Sequence, residues 1–134
     1  MEQSKSIDLS VIIVSYNVEH FLHLCLESVN AAINNINAEI IVIDNASADN
    51  SVEMMRKKFP STRVISNVDN LGFGKANNKA AKLAKGRYVC ILNPDTIVFQ
   101  KTFEEFIQFH EANPTIGISG TQMIDRTGQS SSQS

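Results

Sequence analysis

Short, nearly unbroken apolar runs alternate along this chain with longer segments whose apolar residues recur every three to four positions. Residues 9–14 are apolar except at Ser10, are too few for a stable helix and are rich in Val and Ile. They read as a buried strand. Residues 39–43, 62–65, 88–92 and 116–118 repeat the pattern. Apolar runs of this kind imply burial on both faces, as in a parallel sheet. Between them lie four helical patterns. Residues 19–33 place Leu22, Leu26, Val29 and Ile33 on one stripe, and residues 50–59 place Val52, Met55 and Phe59. Residues 75–84 carry Ala76, Ala80, Leu83 and Ala84, and residues 102–112 carry Phe103, Phe106, Ile107 and His110. Gly86 suits a helix stop, and Pro60 and Pro114 each follow a helix end.

The order β-α-β-α-β-α-β-α-β, with right-handed crossovers, predicts an α/β fold: a doubly wound, mostly parallel sheet with helices on both faces. Ligands of such sheets bind beyond the C-terminal strand ends. Four loops are therefore the candidates: Ser15-Tyr16-Asn17, residues 44–50, residues 67–74 and residues 93–96. The expected organisation is an N-terminal tail (1–7), one α/β domain (8–128), and a polar tail or truncation point (129–134). No internal repeat is visible.

Composition narrows the partners. The chain has 134 residues, a net charge of −2 and 43% hydrophobic content, ordinary for one globular domain. It lacks the positive excess that nucleic acid or an anionic membrane attracts. Cys25 and Cys90 fall within apolar patterns and read as buried free thiols suited to a reducing compartment. No run approaches the ~20 apolar residues of a membrane span, and the first residues do not resemble a signal peptide. A cytoplasmic location, with membrane association only through other regions or partners, is the expectation.

The loops carry unusual amounts of carboxylate and amide. Asp44 directly follows an apolar strand, where helix capping explains it poorly, so it is a candidate ligand contact. Asp49, Asn50 and Ser51 read as caps. In Asn70-Leu71-Gly72-Phe73-Gly74 the glycines permit positive φ and close approach of a ligand, and the next helix offers its N-terminal amides. Taken alone, that loop is better explained as a plain tight turn, and the spacing matches neither the dinucleotide nor the ATPase glycine pattern. Asn77 and Asn78 cost helix propensity in the helix that follows, which suggests a polar contact. Asn93, Asp95 and Thr96 could ligate Mg²⁺ or Mn²⁺ with a substrate diphosphate, or form an Asn-Pro-Asp-Thr turn; the residue types suit both. His20 and His23 read as solvated or capping residues, and His110 as partly buried.

These four loops, in order, resemble those of family 2 glycosyltransferases of the GT-A fold, in particular bacterial rhamnosyltransferase-like members. Val11-Ile12-Ile13-Val14-Ser15-Tyr16-Asn17 is similar to their opening strand, and residues 43–51 to their Asp-Asn-x-Ser-x-Asp-x-Ser segment. Residues 70–78 resemble their third-helix entry, and Leu92-Asn93-Pro94-Asp95-Thr96 a variant of their Asp-x-Asp motif. The resemblance implies inverting transfer of a sugar from a nucleoside diphosphate-sugar, UDP- or dTDP-linked, to an acceptor hydroxyl in cell-surface polysaccharide synthesis. It implies a nucleotide-sugar site of Ser15, Tyr16, Asn17, Asp44, Asn70, Gly72, Gly74, Asn77, Asn78 and Asn93, with Asp44 on the nucleobase. It implies Asp95 on a divalent metal that bridges the phosphates. Asn93 replaces the first Asp of the motif, and Asn77 stands where many relatives carry Arg, a role Lys75 could fill. The family's general base is expected beyond Ser134, with the saccharide or lipid-linked acceptor site. Asp125, the one late carboxylate, reads as part of a hairpin turn.

Two other classes fit the α/β alternation. One is a non-catalytic nucleotide-binding or regulatory module, such as a receiver that would use Asp44 as a phosphoacceptor and leave the Asn70 and Asp95 loops without a role. Nucleotidyl transfer would require a Gly- and Lys/Arg-rich loop after the first strand, which Ser15-Tyr16-Asn17-Val18-Glu19 is not.

Overall fold

The computed structural model describes residues 6–120. The elements run β1 (Leu9–Ser15), α1 (Glu19–Ala32), β2 (Ala38–Asp44), α2 (Ser51–Lys58), β3 (Arg63–Ser66), α3 (Phe73–Leu83), β4 (Tyr88–Leu92) and α4 (Thr102–Ala112). The strands form one sheet in the order β3-β2-β1-β4, every pair parallel. Ser15 stands opposite Asp44, and Asp44 opposite Ser66, so the strand ends line up along one edge.

The two central strands explain the continuous apolar runs. Leu9, Val11 and Ile13 of β1 and Ile40 and Val42 of β2 face a core closed by Leu22, Cys25, Leu26 and Val29 of α1, Met54 and Met55 of α2, and Phe103 of α4. Ile12, Val14, Ile41 and Ile43 face the opposite side, where Ala76 and Ala80 let α3 lie close to the sheet. Each large side chain withdrawn completely from water contributes roughly 1.5–3 kcal/mol. The edge strand β4 alternates instead: Tyr88, Cys90 and Leu92 pack on the α1 side, while Val89 (48%) and Ile91 (56%) stay exposed on the α3 side. Ser10 interrupts the β1 run because its hydroxyl donates to Glu39 Oε1 at 2.6 Å and accepts the Gly86 N–H at 2.8 Å, all beneath the α3–β4 connection.

Two expectations are corrected. Residues 116–118 form no strand: residues 113–120 are irregular after α4, and Ile118 is 92% exposed. Two isoleucines separated by Gly117 and flanked by Thr115 and Ser119 have too little side-chain surface to hold a strand without a partner. Gly86 does not stop α3, which ends at Leu83 with Ala84 in extended conformation. Glycine is needed there for space, since a Cβ would lie 2.5 Å from the Ser10 nitrogen. The stretches 1–5 and 121–134, including Asp125 and the polar tail, lie outside the described residues.

Candidate functional site

The strand order places the topological switch between β1 and β4: the chain runs outward through β2 and β3, then returns to the other side of β1. The crevice expected of doubly wound sheets opens there. Ser15 ends β1, Asp44 ends β2, and residues 93–96 follow β4.

The first two loops are zipped to each other. Asn17 (φ 53°) donates its backbone N–H to Ser47 Oγ at 3.0 Å, and its Oδ1 accepts the Ala48 N–H at 2.7 Å. Asp49 Oδ2 accepts the Glu19 N–H at 3.1 Å, and Glu19 Oε1 accepts the Asn50 N–H at 2.8 Å. Asp49 Oδ1 also takes the Ser51 N–H at 3.0 Å. One carboxylate therefore caps both α1 and α2, whereas Asn50 makes no side-chain cap. Burial alone would raise the Asp49 carboxyl, but donation from the Ser51 hydroxyl and from the Ser51 and Glu19 amides outweighs it and holds it below its ordinary value.

Asp44 is 1% exposed. Its Oδ2 accepts the Ser47 N–H at 2.9 Å; its Oδ1 is buried and unpartnered, as is the Ser15 Oγ across the ladder. Orphaned buried polar atoms are costly and uncommon, and they cluster where a missing partner is expected. A third is Asn77 Oδ1, on the α3 side; the Asn77 amide nitrogen donates to Phe73 O at 3.1 Å. Tyr16 is half exposed beside Ser15.

The third loop is shaped by residues that pattern reading passed over. Asn45, buried, donates to Gly72 O and accepts from Asn67 Nδ2 at 3.0 Å, and Lys79 Nζ donates to Asn67 Oδ1 at 2.7 Å. Their signal was present, two amides adjoining strand ends, but a polar loop residue looks alike whether it binds ligand or backbone. Asn70 Oδ1 accepts the Gly72 N–H at 2.8 Å, so it builds the turn. Gly72 sits at φ 79°, where glycine is favoured; Gly74 is helical, and a Cβ there would meet nothing. Lys75 and Asn78 are exposed on α3.

After β4 the chain turns, with the Thr96 N–H donating to Asn93 O at 3.1 Å. The turn leaves Asn93 and Asp95 exposed. Among the described residues, no group of three or more His, Cys, Asp or Glu could enclose a metal. A lone exposed carboxylate fits a hard cation that draws its remaining ligands from water and phosphate. Beneath the turn, burial first and then the charge of Asp95 push the Cys25 thiol up to about 12; burial pushes Cys90 up to about 11.

The model of glycosyl transferase family 2 matches residues 10–132. The chain belongs to that family. Among relatives of this family 2 domain is the minor teichoic acid biosynthesis protein GgaB of Bacillus subtilis, 35% identical over 114 residues, covering 82% of this chain and 13% of that protein. S. aureus TarS 1–349 in complex with UDP-GlcNAc superposes with a TM-score of 0.72 at 24% identity, over 81% of this chain and 32% of that one. The mannosyltransferase PcManGT from Pyrobaculum calidifontis, in complex with GDP-Man and Mn²⁺, superposes with a TM-score of 0.74 at 22% identity, over 85% of this chain and 35% of that one. The parallel α/β sheet is thus that of GT-A glycosyltransferases, and the family 2 chain spans well under half of these relatives. Family membership sets aside the receiver and nucleotidyl-transfer readings.

Proposed function

We propose that this chain is the donor-binding part of a glycosyltransferase that moves a sugar from a UDP- or dTDP-sugar to an acceptor hydroxyl during cell-surface polysaccharide synthesis. The observation that carries the reading is the placement of two carboxylates of opposite character at one sheet edge. Asp44, buried with an unpartnered oxygen, ends β2, and Asp95, exposed, follows β4 across the switch crevice. Asp44 Oδ1, buried and without a partner, would accept the imide N–H shared by uracil and thymine. Ser15, Tyr16 and Asn77 line the same edge, and Asn78 and Asn93 are exposed toward solvent. Asn17, Asn70, Gly72 and Gly74 act through the backbone they shape, since Asn17 and Asn70 already spend their side chains on it.

Asp95, with Asn93 beside it, would hold Mg²⁺ or Mn²⁺, which supplies Lewis-acid stabilisation of the departing diphosphate. Lys75 adds positive charge on the neighbouring helix. The acceptor site and the general base are assigned to none of the described residues. The free thiols, Cys25 buried and Cys90 only partly so, support a cytoplasmic setting; no described helix is long and apolar enough to cross a membrane.

The test is thermal shift and calorimetry with UDP, dTDP and GDP, with and without Mn²⁺. Uridine and thymidine diphosphates should raise the melting temperature, more with Mn²⁺. Asp95→Ala should remove the metal increment, and Asp44→Ala the base preference. No shift with any nucleoside diphosphate would overturn the proposal.

A further inference from the structure

The segment that carries Asp95 has little to hold it. It has no regular structure between Leu92 and Thr102, and two of its apolar residues, Ile97 and Phe99, are exposed. Two side chains one turn apart on α1 anchor it. Cys25 Sγ donates to Asn93 O at 3.8 Å, within the range of a long thiol hydrogen bond. Ser28 Oγ accepts the Val98 N–H at 3.1 Å while donating to Cys25 O at 2.8 Å. The anchors fall on either side of Asp95, at residues 93 and 98, and the Thr96 N–H to Asn93 O bond closes the turn between them. Cys25 is fully buried and Ser28 half-buried, so water competes poorly for either bond. The helix bearing both anchors begins directly after the Ser15-Tyr16-Asn17 loop. It therefore fixes one rim of the crevice against the other.

We infer that Cys25 and Ser28 are positioning residues that hold the Asp95 carboxylate at a set distance from the β1 end, so that one carboxylate suffices to join a divalent cation to the diphosphate. The inference rests on the reading of Asp95 as the metal ligand. A site with a single protein carboxylate depends on placement more than one with several, because no other ligand corrects an error in its position.

The experiment measures UDP affinity by calorimetry with and without Mn²⁺ for wild type, Ser28→Ala, Ser28→Thr, Cys25→Val and Asp95→Ala, with melting temperatures alongside. The ratio of the two affinities is the readout, because a fold-wide loss of stability leaves it unchanged. Outer partners of metal ligands typically contribute about 10-fold or more in metal affinity. Ser28→Ala and Cys25→Val should therefore lower the Mn²⁺ enhancement by about that factor, with metal-free UDP affinity unchanged and Ser28→Thr restoring the enhancement. If Asp95→Ala abolishes the enhancement while Ser28→Ala and Cys25→Val keep it, the positioning role is wrong and the metal reading stands. If the enhancement survives Asp95→Ala, the metal reading fails and this inference with it.

Discussion

Replacing Asp49 by Ala tests the shared cap most directly. The carboxylate accepts the first amide of α1, Glu19 N–H, and the first amide of α2, Ser51 N–H. Loss of a cap costs about 1 kcal/mol. Ser51 is completely buried, so its orphaned N–H and hydroxyl cannot turn to water, which puts the α2 end at about 1–2 kcal/mol. The sum is about 2–3 kcal/mol, or a melting point lower by about 8–12 °C for a domain of this size. Urea unfolding at pH 7 measures it, with Asn50→Ala as control; Asn50 occupies the formal cap position without capping, and its loss should cost less than about 0.5 kcal/mol. The pH dependence has a defined sign. A carboxyl held below its ordinary value stabilises the fold above the unfolded-state value and loses that effect as pH falls through the folded-state value. The gap between wild type and Asp49→Ala should therefore be full at neutral pH and shrink below pH ~4. An Asp49→Ala protein within 0.5 kcal/mol of wild type, or an equal loss in Asn50→Ala, would refute the shared cap.

Gly86→Ala forces a Cβ to within 2.5 Å of Ser10 N and 2.8 Å of the Leu9 carbonyl carbon, both central-strand backbone, and should destabilise by about 2–4 kcal/mol in urea melts. Ala46 sits at φ 63°, so Ala46→Gly should stabilise by about 0.5–1 kcal/mol after the entropy lost to glycine is deducted; a destabilised variant would count against that backbone geometry. Cys25 and Cys90, pushed up to about 12 and about 11, should react with a thiol reagent at pH 8 far more slowly in the folded chain than in urea, and equal rates would contradict their burial.

How far the sequence could be read varied with what made each element. β1 and β2 stood out because both of their faces are covered, which leaves Ser10 and Glu39, bonded to each other, as the polar positions short of the strand-end Ser15 and Asp44. The stripes of α1 and α4 stood out because one face meets the sheet. Strand order did not, since nothing local in residues 88–92 says that they return beside β1 rather than extend past β3. The strand expected at 116–118 shows the limit of reading a strand from two isoleucines around a glycine. Within the site, the places of Asp44 and Asp95 just past buried strands follow from the apolar runs before them, whereas what either carboxylate binds does not. Asn17, Asn45 and Asn67 were not legible, because an amide that braces a loop has the same local sequence as one that meets a ligand. Asp49 was recognised as a cap, but its second helix, 30 residues away, could be seen only in three dimensions.

The central position of β1 has a consequence for synthesis. Ser10 pairs on one side with Glu39 but on the other with Val89, about 80 residues later in the chain. At roughly 5–20 residues per second a ribosome needs about 4–16 s to supply that second neighbour. Until then the most apolar strand of the nascent chain has one open edge. Its early lifetime in the cell is a race between translation and unwanted strand pairing, and mutations that slow the arrival of β4 should show as lost soluble yield before they show as lost stability.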